Sequence, residues 1–299
     1  MSELLRLVGN TPLVELKRIE RERKSRLLLK LEYYNPTGSH KDRIALHMIK
    51  NAIEEGKLRE GDTVVEASSG NTAISVAFIA RMFNLKPIVV VPEETSSVKV
   101  RLLEVLGAEI FYGTDDPVSE NYYLRIAKRI SIERKGLFLN QYENRSNIEA
   151  HYKTTAREIW EQSEGNIDAF VMGIGTGGTI MGVGKLLKER KKDVKIFGVT
   201  PKGSVLVGGT GKDKIEGLVH KWVPPLLDMK ILDGIVEVSF SEAKEMTERL
   251  AGEEGILGGY STGANVIASI KISEFLPERS VIVTIAPDSL FKYLGEHQK

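Results

Sequence analysis

Apolar residues recur along the chain in two alternating rhythms. Short, mostly apolar runs occupy residues 63–66, 87–91, 108–112 and 137–140, and later 169–172, 194–199 and 280–285. Runs of that length, bounded by Gly, Pro, Asn or Ser, read as strands buried on both faces. Between them lie longer stretches whose apolar positions fall three and four apart, the spacing of one helix face. The first is the set Ile44, Ala45, Met48, Ile49, Ala52 and Ile53, closed by Gly56. The same spacing predicts helices over residues 73–83, 95–106, 117–134, 147–162, 179–191, 241–254 and 263–275. Strand and helix in strict alternation imply mostly parallel sheets covered by helices, an α/β fold. The total is too long for one compact sheet, so two α/β domains are expected, and ligands of such sheets sit at strand carboxyl ends. Residues 201–217, rich in Gly and Lys, read as a loop, and a mobile one.

The polar interruptions carry the chemistry. In Asn35-Pro36-Thr37-Gly38-Ser39-His40-Lys41-Asp42-Arg43, Pro36 and Gly38 force a reversal and Ser39 reads as a helix cap. The turn holds Lys41 at a helix entrance, where backbone N–H groups favour anions. Gly173-Ile174-Gly175-Thr176-Gly177-Gly178-Thr179 also lies between a strand and a helix. Its glycines let N–H groups close around an anion, and Thr176 and Thr179 add hydroxyl donors. The same letters satisfy GxGxxG, but a dinucleotide site wants a carboxylate at the end of the next strand. Here that strand ends in Gly198-Val199-Thr200, and no Walker lysine follows the glycines. A small phosphorylated cofactor fits better. Ser68-Ser69-Gly70-Asn71-Thr72 has the same placement and suits a carboxylate, although helix capping explains its residue types about as well. Gly258-Gly259-Tyr260-Ser261-Thr262-Gly263-Ala264 is a further turn of this kind, and capping accounts for it equally.

Composition removes several function classes. The 299 residues carry a formal net charge of +1 with both signs interspersed, which gives no footprint for nucleic acid or an anionic membrane. There is no cysteine, hence no disulfide, thiolate metal site or cysteine nucleophile. The five histidines form no HxxxH-like pair, so no metal centre is expected. The opening MSELLRLVGNTPL lacks a signal-peptide pattern and no apolar run reaches spanning length, so a cytoplasmic protein is expected.

Taken together, these stretches resemble the cysteine synthase branch of the cysteine synthase/cystathionine β-synthase family, fold-type II pyridoxal-phosphate enzymes. VGNTPLVEL at residues 8–16 looks like the family's opening motif, and NPTGSHKDR is similar to its NPxxSVKDR lysine motif. EASSGNTA resembles the TSGNTG loop, GTGGT the phosphate loop, YSTGA the ISSGA turn, and APDSLFKYL the PDSxxRYL ending. The motifs run in order over nearly the whole chain.

The resemblance implies a two-domain, tryptophan synthase β-like fold with its site in the interdomain cleft. The smaller, mobile domain would be residues 36–145, with 1–35 and 146–299 forming the larger. It implies pyridoxal 5′-phosphate as cofactor and no metal. Lys41 matches the lysine that forms the imine with the cofactor, and Asn71 the residue bonded to the pyridine hydroxyl. Ser68, Ser69, Thr72 and Gln141 match the contacts to the substrate carboxylate. Gly175, Thr176, Gly177, Gly178 and Thr179 match the phosphate cup, and Ser261 the partner of the ring nitrogen. A serine there cannot hold a full proton as aspartate would, which suits β-elimination. The implied reaction is β-replacement on O-acetylserine or O-phosphoserine by sulfide, through an aminoacrylate, giving L-cysteine. Partners would be that amino-acid substrate and sulfide, with a homodimer as the family-typical assembly. Cystathionine formation and serine/threonine deamination are the neighbouring outcomes, and a non-catalytic or dinucleotide-binding α/β protein the distant one. His40 and Ala73 depart from the family pattern without touching the cofactor contacts. A larger departure is Glu216-Gly217-Leu218-Val219-His220-Lys221-Trp222, which replaces the neutral GIGAG segment near the substrate. Gly217, His220 and Lys221 are therefore expected at the substrate, and the two cations suit a phosphorylated donor.

Overall fold

The computed structural model describes residues 3–19, 25–68, 70–211, 213–218 and 222–294. The chain begins with strands β1 (Leu13–Glu15) and β2 (Arg26–Leu31), then helix α1 (Lys41–Glu54). Next come β3 (Thr63–Ala67), α2 (Asn71–Met82), β4 (Lys86–Pro92), α3 (Ser97–Val105), β5 (Glu109–Gly113), α4 (Tyr123–Glu133) and β6 (Leu137–Phe138). Helices α5 (Ser146–Lys153) and α6 (Thr155–Gln162) lead to β7 (Ala169–Gly173), α7 (Gly178–Arg190) and β8 (Lys195–Pro201). The chain closes with β9 (Gly234–Val238), α8 (Phe240–Arg249), α9 (Tyr260–Ser273) and β10 (Val281–Ala286).

Two compact units divide these elements, one built on Asn35–Asn147 and the other on Gly9–Tyr34 with Ile148–Tyr293. The first has a four-stranded parallel sheet in the order β5-β4-β3-β6. Strand residues alternate between its faces. Val65, Ala67, Ile88 and Val90 pack on Tyr123, Ile126, Ala127 and Ile130 of α4. Val89 and Val91 pack on Ala73, Ile74 and Ala77 of α2 and on Leu103 of α3. Helix-covered parallel strands have no solvated face, which is why this sequence reads PIVVV rather than apolar–polar.

The second unit has a six-stranded sheet in the order β1-β2-β10-β7-β8-β9. Only the β1–β2 pair is antiparallel among the described residues. Leu27, Leu29, Val171 and Ile282 face a core shared with α8 and α9. Leu28, Phe170, Met172, Val283 and Ile285 face the one shared with α6 and α7.

Several local expectations need correction. The helix expected from residue 117 starts only at Tyr123, because 117–122 form turns in which Ser119 O accepts from Tyr122 N at 3.1 Å. The helix expected over 147–162 is two, broken where Thr154 leaves helical geometry at φ −123° and ψ −80°. The helix expected to reach 254 changes at Leu250 into a wider π turn. Ser39 is not the cap of α1; His40 occupies that position, and the Ser39 hydroxyl accepts from Lys41 N at 3.3 Å. The 201–217 loop contains a short 3-10 turn at Val205–Val207, and its Ile215 is buried in the core.

Candidate active site

In the first unit, Lys41 is the first residue of α1, and the preceding turn is tightly specified. Gly38, at φ +76°, donates its N–H to Asn35 O at 2.8 Å. Asp42, fully buried in the first turn of α1, accepts from Thr37 N at 2.7 Å and from the Thr37 hydroxyl at 2.5 Å. Carboxylates are favoured at that end of a helix, so Asp42 holds both turn and helix start. Lys41 is thereby presented on a rigid backbone.

At the end of β3 the 68–72 turn meets Gln141. The Thr72 hydroxyl donates to Gln141 Oε1 at 2.7 Å, and Gln141 Nε2 donates to Ala67 O at 3.4 Å. Asn147 Nδ2 donates to Gln141 O at 2.8 Å, and Ser68 Oγ accepts from Gly70 N at 3.3 Å. Ser68, Thr72 and Gln141 are all buried and thus gathered in one place, with Asn71 opening α2 beside them. Ser69 lies outside the described residues, as do His220 and Lys221.

Beneath this turn sits Glu66, which sequence reasoning left without a role. It is fully buried, Oε1 accepts from Ala67 N at 3.0 Å, and Oε2 has no hydrogen-bond partner among the described residues. Burial pushes its carboxyl up to about 8, against the opposing pull of the Ala67 and Gln141 amides and the Lys41 charge.

In the second unit, β7 runs through Ile174 into the glycine loop and α7. Gly177 has φ +87°, a conformation that favours glycine. A Cβ on Gly175 would lie 2.5 Å from the Gly217 carbonyl, so Gly217 backs the loop through its main chain. Thr176 Oγ1 accepts from Gly178 N at 3.3 Å, and no acidic residue occupies the first turn of α7. Thr179 Oγ1 lies 3.1 Å from His151 Nε2. The head of the loop is tied down by Asn265, whose Oδ1 accepts from Gly173 N and whose Nδ2 donates to Ile285 O, both at 2.8 Å. These bonds set the N-terminal part of α9 at the carboxyl ends of β7 and β10, where ligands of parallel sheets collect.

Ser261, the second residue of α9, is buried, and the first turn of that helix is also free of acidic residues. The PDS stretch supports it: Gly259 N donates to Asp288 O at 3.0 Å, and Tyr293 OH donates to Asp288 Oδ2 at 2.6 Å. A Cβ on Gly259 would sit 2.3 Å from Asp288 Oδ1, so only glycine fits there. Asn265, His151 and Asp288 are the supporting residues that motif reading did not assign. Asp288 lies within the APDSLFKYL stretch, and Asn265 left a trace as the polar residue within the otherwise apolar run of residues 264–268.

The donor set fits a phosphate ester: a close-packed glycine turn, a helix N-terminus and threonine hydroxyls, with no acidic residue in the first turn of α7. Among the described residues no cluster suited to a metal ion occurs, and no helix is long and apolar enough to cross a membrane.

Comparison with known proteins agrees. A profile described as pyridoxal-phosphate dependent enzyme matches residues 4–288, and the chain belongs to that family. It is 39% identical over 298 residues to a cysteine synthase of Staphylococcus aureus, covering 99% of this chain and 96% of the relative. It is 38% identical over 305 residues to a cystathionine beta-synthase of Apis mellifera, covering 98% of this chain but 60% of that protein. The crystal structure of O-ureido-L-serine synthase superimposes with a TM-score of 0.93 at 32% identity, covering 99% of this chain and 94% of that one. The fold is that of the fold-type II pyridoxal-phosphate enzymes, and pyridoxal phosphate is the cofactor of the family.

Proposed function

We infer that this protein makes L-cysteine by β-replacement on an activated serine, O-acetylserine or O-phosphoserine, with sulfide as nucleophile. In this reading Lys41 and the 175–179 cup serve one cofactor, which when bound supplies the electron sink for breaking bonds at the α- and β-carbons. Gly175, Thr176, Gly177, Gly178 and Thr179 bind its phosphate, and Asn71 orients its ring. Lys41 would hold it covalently, and its amine would carry the substrate α-proton. Ser68, Ser69, Thr72 and Gln141 take the substrate carboxylate. Gly217, His220 and Lys221 belong to the donor side, where two cations suit a phosphate leaving group.

The observation that carries the choice of reaction is Ser261. Its buried hydroxyl, on a helix whose first turn holds no acid, offers the ring nitrogen a neutral partner. A weaker electron sink favours loss of a β-substituent over chemistry that lingers at the α-carbon. The identity to cysteine synthase over nearly the full length of both chains supports sulfide as nucleophile. A cytoplasmic homodimer, with the Lys41-bearing unit as the mobile part, completes the reading. The test is a panel of O-acetylserine, O-phosphoserine, serine and threonine, each with and without sulfide. Cysteine from an activated serine is expected; ammonia release from serine or threonine alone would replace the reading with deamination.

A further inference from the structure

Two glycines at the head of the phosphate loop are glycine for reasons of space. Gly173 and Gly175 are not among the residues with positive φ, so backbone conformation does not demand them. A Cβ on Gly173 would collide with Leu218 Cδ2 and lie 3.1 Å from Asn265 Oδ1. A Cβ on Gly175 would meet the Gly217 carbonyl oxygen at 2.5 Å. Further along, a Cβ on Gly177 would lie 3.2 Å from Leu227 N and 3.3 Å from Leu227 Cα. Three glycines of the loop thus face one stretch of chain, residues 215–218 and 222–227.

That stretch is anchored on both faces of the six-stranded sheet. Ile215 and Leu218 are buried in the core shared with α8 and α9, and Leu218 N donates to Ile215 O at 3.0 Å. Trp222 and Leu227 pack on the core shared with α6 and α7, and Leu227 N donates to Pro224 O at 3.0 Å. Within the 215–218 turn, Gly217 is exposed at φ +85° while Leu218 is buried. Leu218 is therefore the side chain that joins the turn to the loop, in the volume that Gly173 leaves open. Neither part can shift toward the other without a clash, and close-packed interiors transmit such strain.

We propose that Leu218 is a positioning residue for both halves of the site, seating the 215–218 turn on the glycine loop so that cofactor phosphate and serine donor are held by one braced structure. The assignment rests on reading residues 175–179 as the phosphate cup and Gly217 as part of the donor side. Preorganised donors bind an anion without the cost of being ordered, and small misplacements are expensive in an oriented site. Loosening Leu218 is therefore felt at both ligands.

The test reads the dissociation constant of pyridoxal phosphate for the apoprotein. On the loaded enzyme it reads KM and kcat for O-acetylserine or O-phosphoserine, whichever is turned over. Leu218→Ala should raise the dissociation constant and KM about tenfold each, with a smaller change in kcat. Leu218→Met, which nearly conserves volume, should restore both. Leu29→Ala is the control, because it empties the same core on β2, two strands from β7. A merely structural role would make the two alanine variants alike in melting temperature and in both constants. Gly173→Ala drives a methyl group into Leu218 and should weaken cofactor binding. Adding Leu218→Val should recover part of that loss, since the two residues share one space. Should Leu218→Ala fold poorly, Leu218→Val alone gives the same readings with smaller shifts. Wild-type constants in the Leu218 variants, shifts matched by Leu29→Ala, or no recovery in the double variant would overturn the brace alone. A wild type that takes up no pyridoxal phosphate overturns the cup reading, and one that loads it but uses neither donor overturns the donor reading.

Discussion

The Thr72 hydroxyl donates to Gln141 Oε1 across 2.7 Å, joining residues 69 positions apart in the chain. The bond ties the head of α2 to the turn after β6, while Asn147 holds the Gln141 main chain at 2.8 Å. Each group at the end of β3 is therefore positioned by a second one, as an accurately oriented binding site requires.

From this follows a split in kinetic constants. Gln141→Ala frees the Thr72 hydroxyl from its acceptor and, in the proposed reading, removes a contact to the substrate carboxylate. Loss of a hydrogen bond to a charged group costs about 1.5–3 kcal/mol, so KM for the serine donor should rise roughly ten- to a hundredfold, with a smaller change in kcat. Steady-state kinetics with one donor decide it. A fall in kcat at constant KM would remove Gln141 from the binding role.

Glu66 makes stability pH-dependent. Its carboxyl is raised from 4.5 to about 8, so the folded apoprotein holds a proton that the unfolded chain releases. Its contribution is fully present below about pH 4.5 and is lost as the pH climbs toward 8, by up to about 1.4 kcal/mol per pH unit. The neighbouring Tyr142 hydroxyl, pushed up by burial, stays neutral through that window. Glu66→Gln lacks this titration. Its stability relative to wild type should increase steadily between pH 5 and 8 in denaturant unfolding of the apoprotein. A pH-independent difference would show that Glu66 is ionised in the fold.

Asn265 should matter to stability and to the cup at once. Asn265→Ala leaves Gly173 N–H and Ile285 C=O buried and unpaired, a cost of about 2–4 kcal/mol. The melting temperature should fall, and cofactor affinity with it, because Gly173 leads directly into the glycine loop. Unaltered cofactor affinity in a destabilised variant would confine Asn265 to the core.

Most of the strands, though not their order in the sheets, were legible because β4, β7 and β10 are nearly continuous apolar runs, a pattern parallel sheets impose. Strand β2 was not, since Lys30 interrupts Leu27, Leu28, Leu29 and Leu31. That lysine is fully buried and paired with Glu158 at 2.7 Å, a partner with no local trace in sequence. Strand β9, GIVEV, mixes polar and apolar residues because it is the sheet's edge. The break at Thr154 carries no Gly or Pro and rests on contacts made by the next residue. The site divides in the same way. Residues that would touch cofactor or substrate lie in short motifs, whereas His151, Asn265 and Asp288 act through partners distant in sequence.

In the proposed reading Ser261 sets the course of the chemistry. Ser261→Asp would then place a carboxylate where the ring nitrogen is expected to meet a hydroxyl and stabilise charge at the α-carbon. β-Replacement should slow by about tenfold or more, while exchange of the substrate α-proton with deuterated solvent quickens relative to product formation. Unchanged rates of both would reduce Ser261 to a helix-start residue.

The central claim is that Lys41 and the phosphate cup serve one cofactor for making cysteine. The direct measurement is cysteine formation from O-acetylserine or O-phosphoserine and sulfide, by wild type and Lys41→Ala, both loaded with pyridoxal phosphate. Wild type should form cysteine from at least one donor, with its visible absorbance changing on donor addition before sulfide is supplied. Lys41→Ala should still bind cofactor through the cup yet turn over slower by several orders of magnitude, as losses of covalent catalysts do. Wild-type turnover in the loaded Lys41→Ala protein, or no cysteine from either donor with the loaded wild type, would contradict the account.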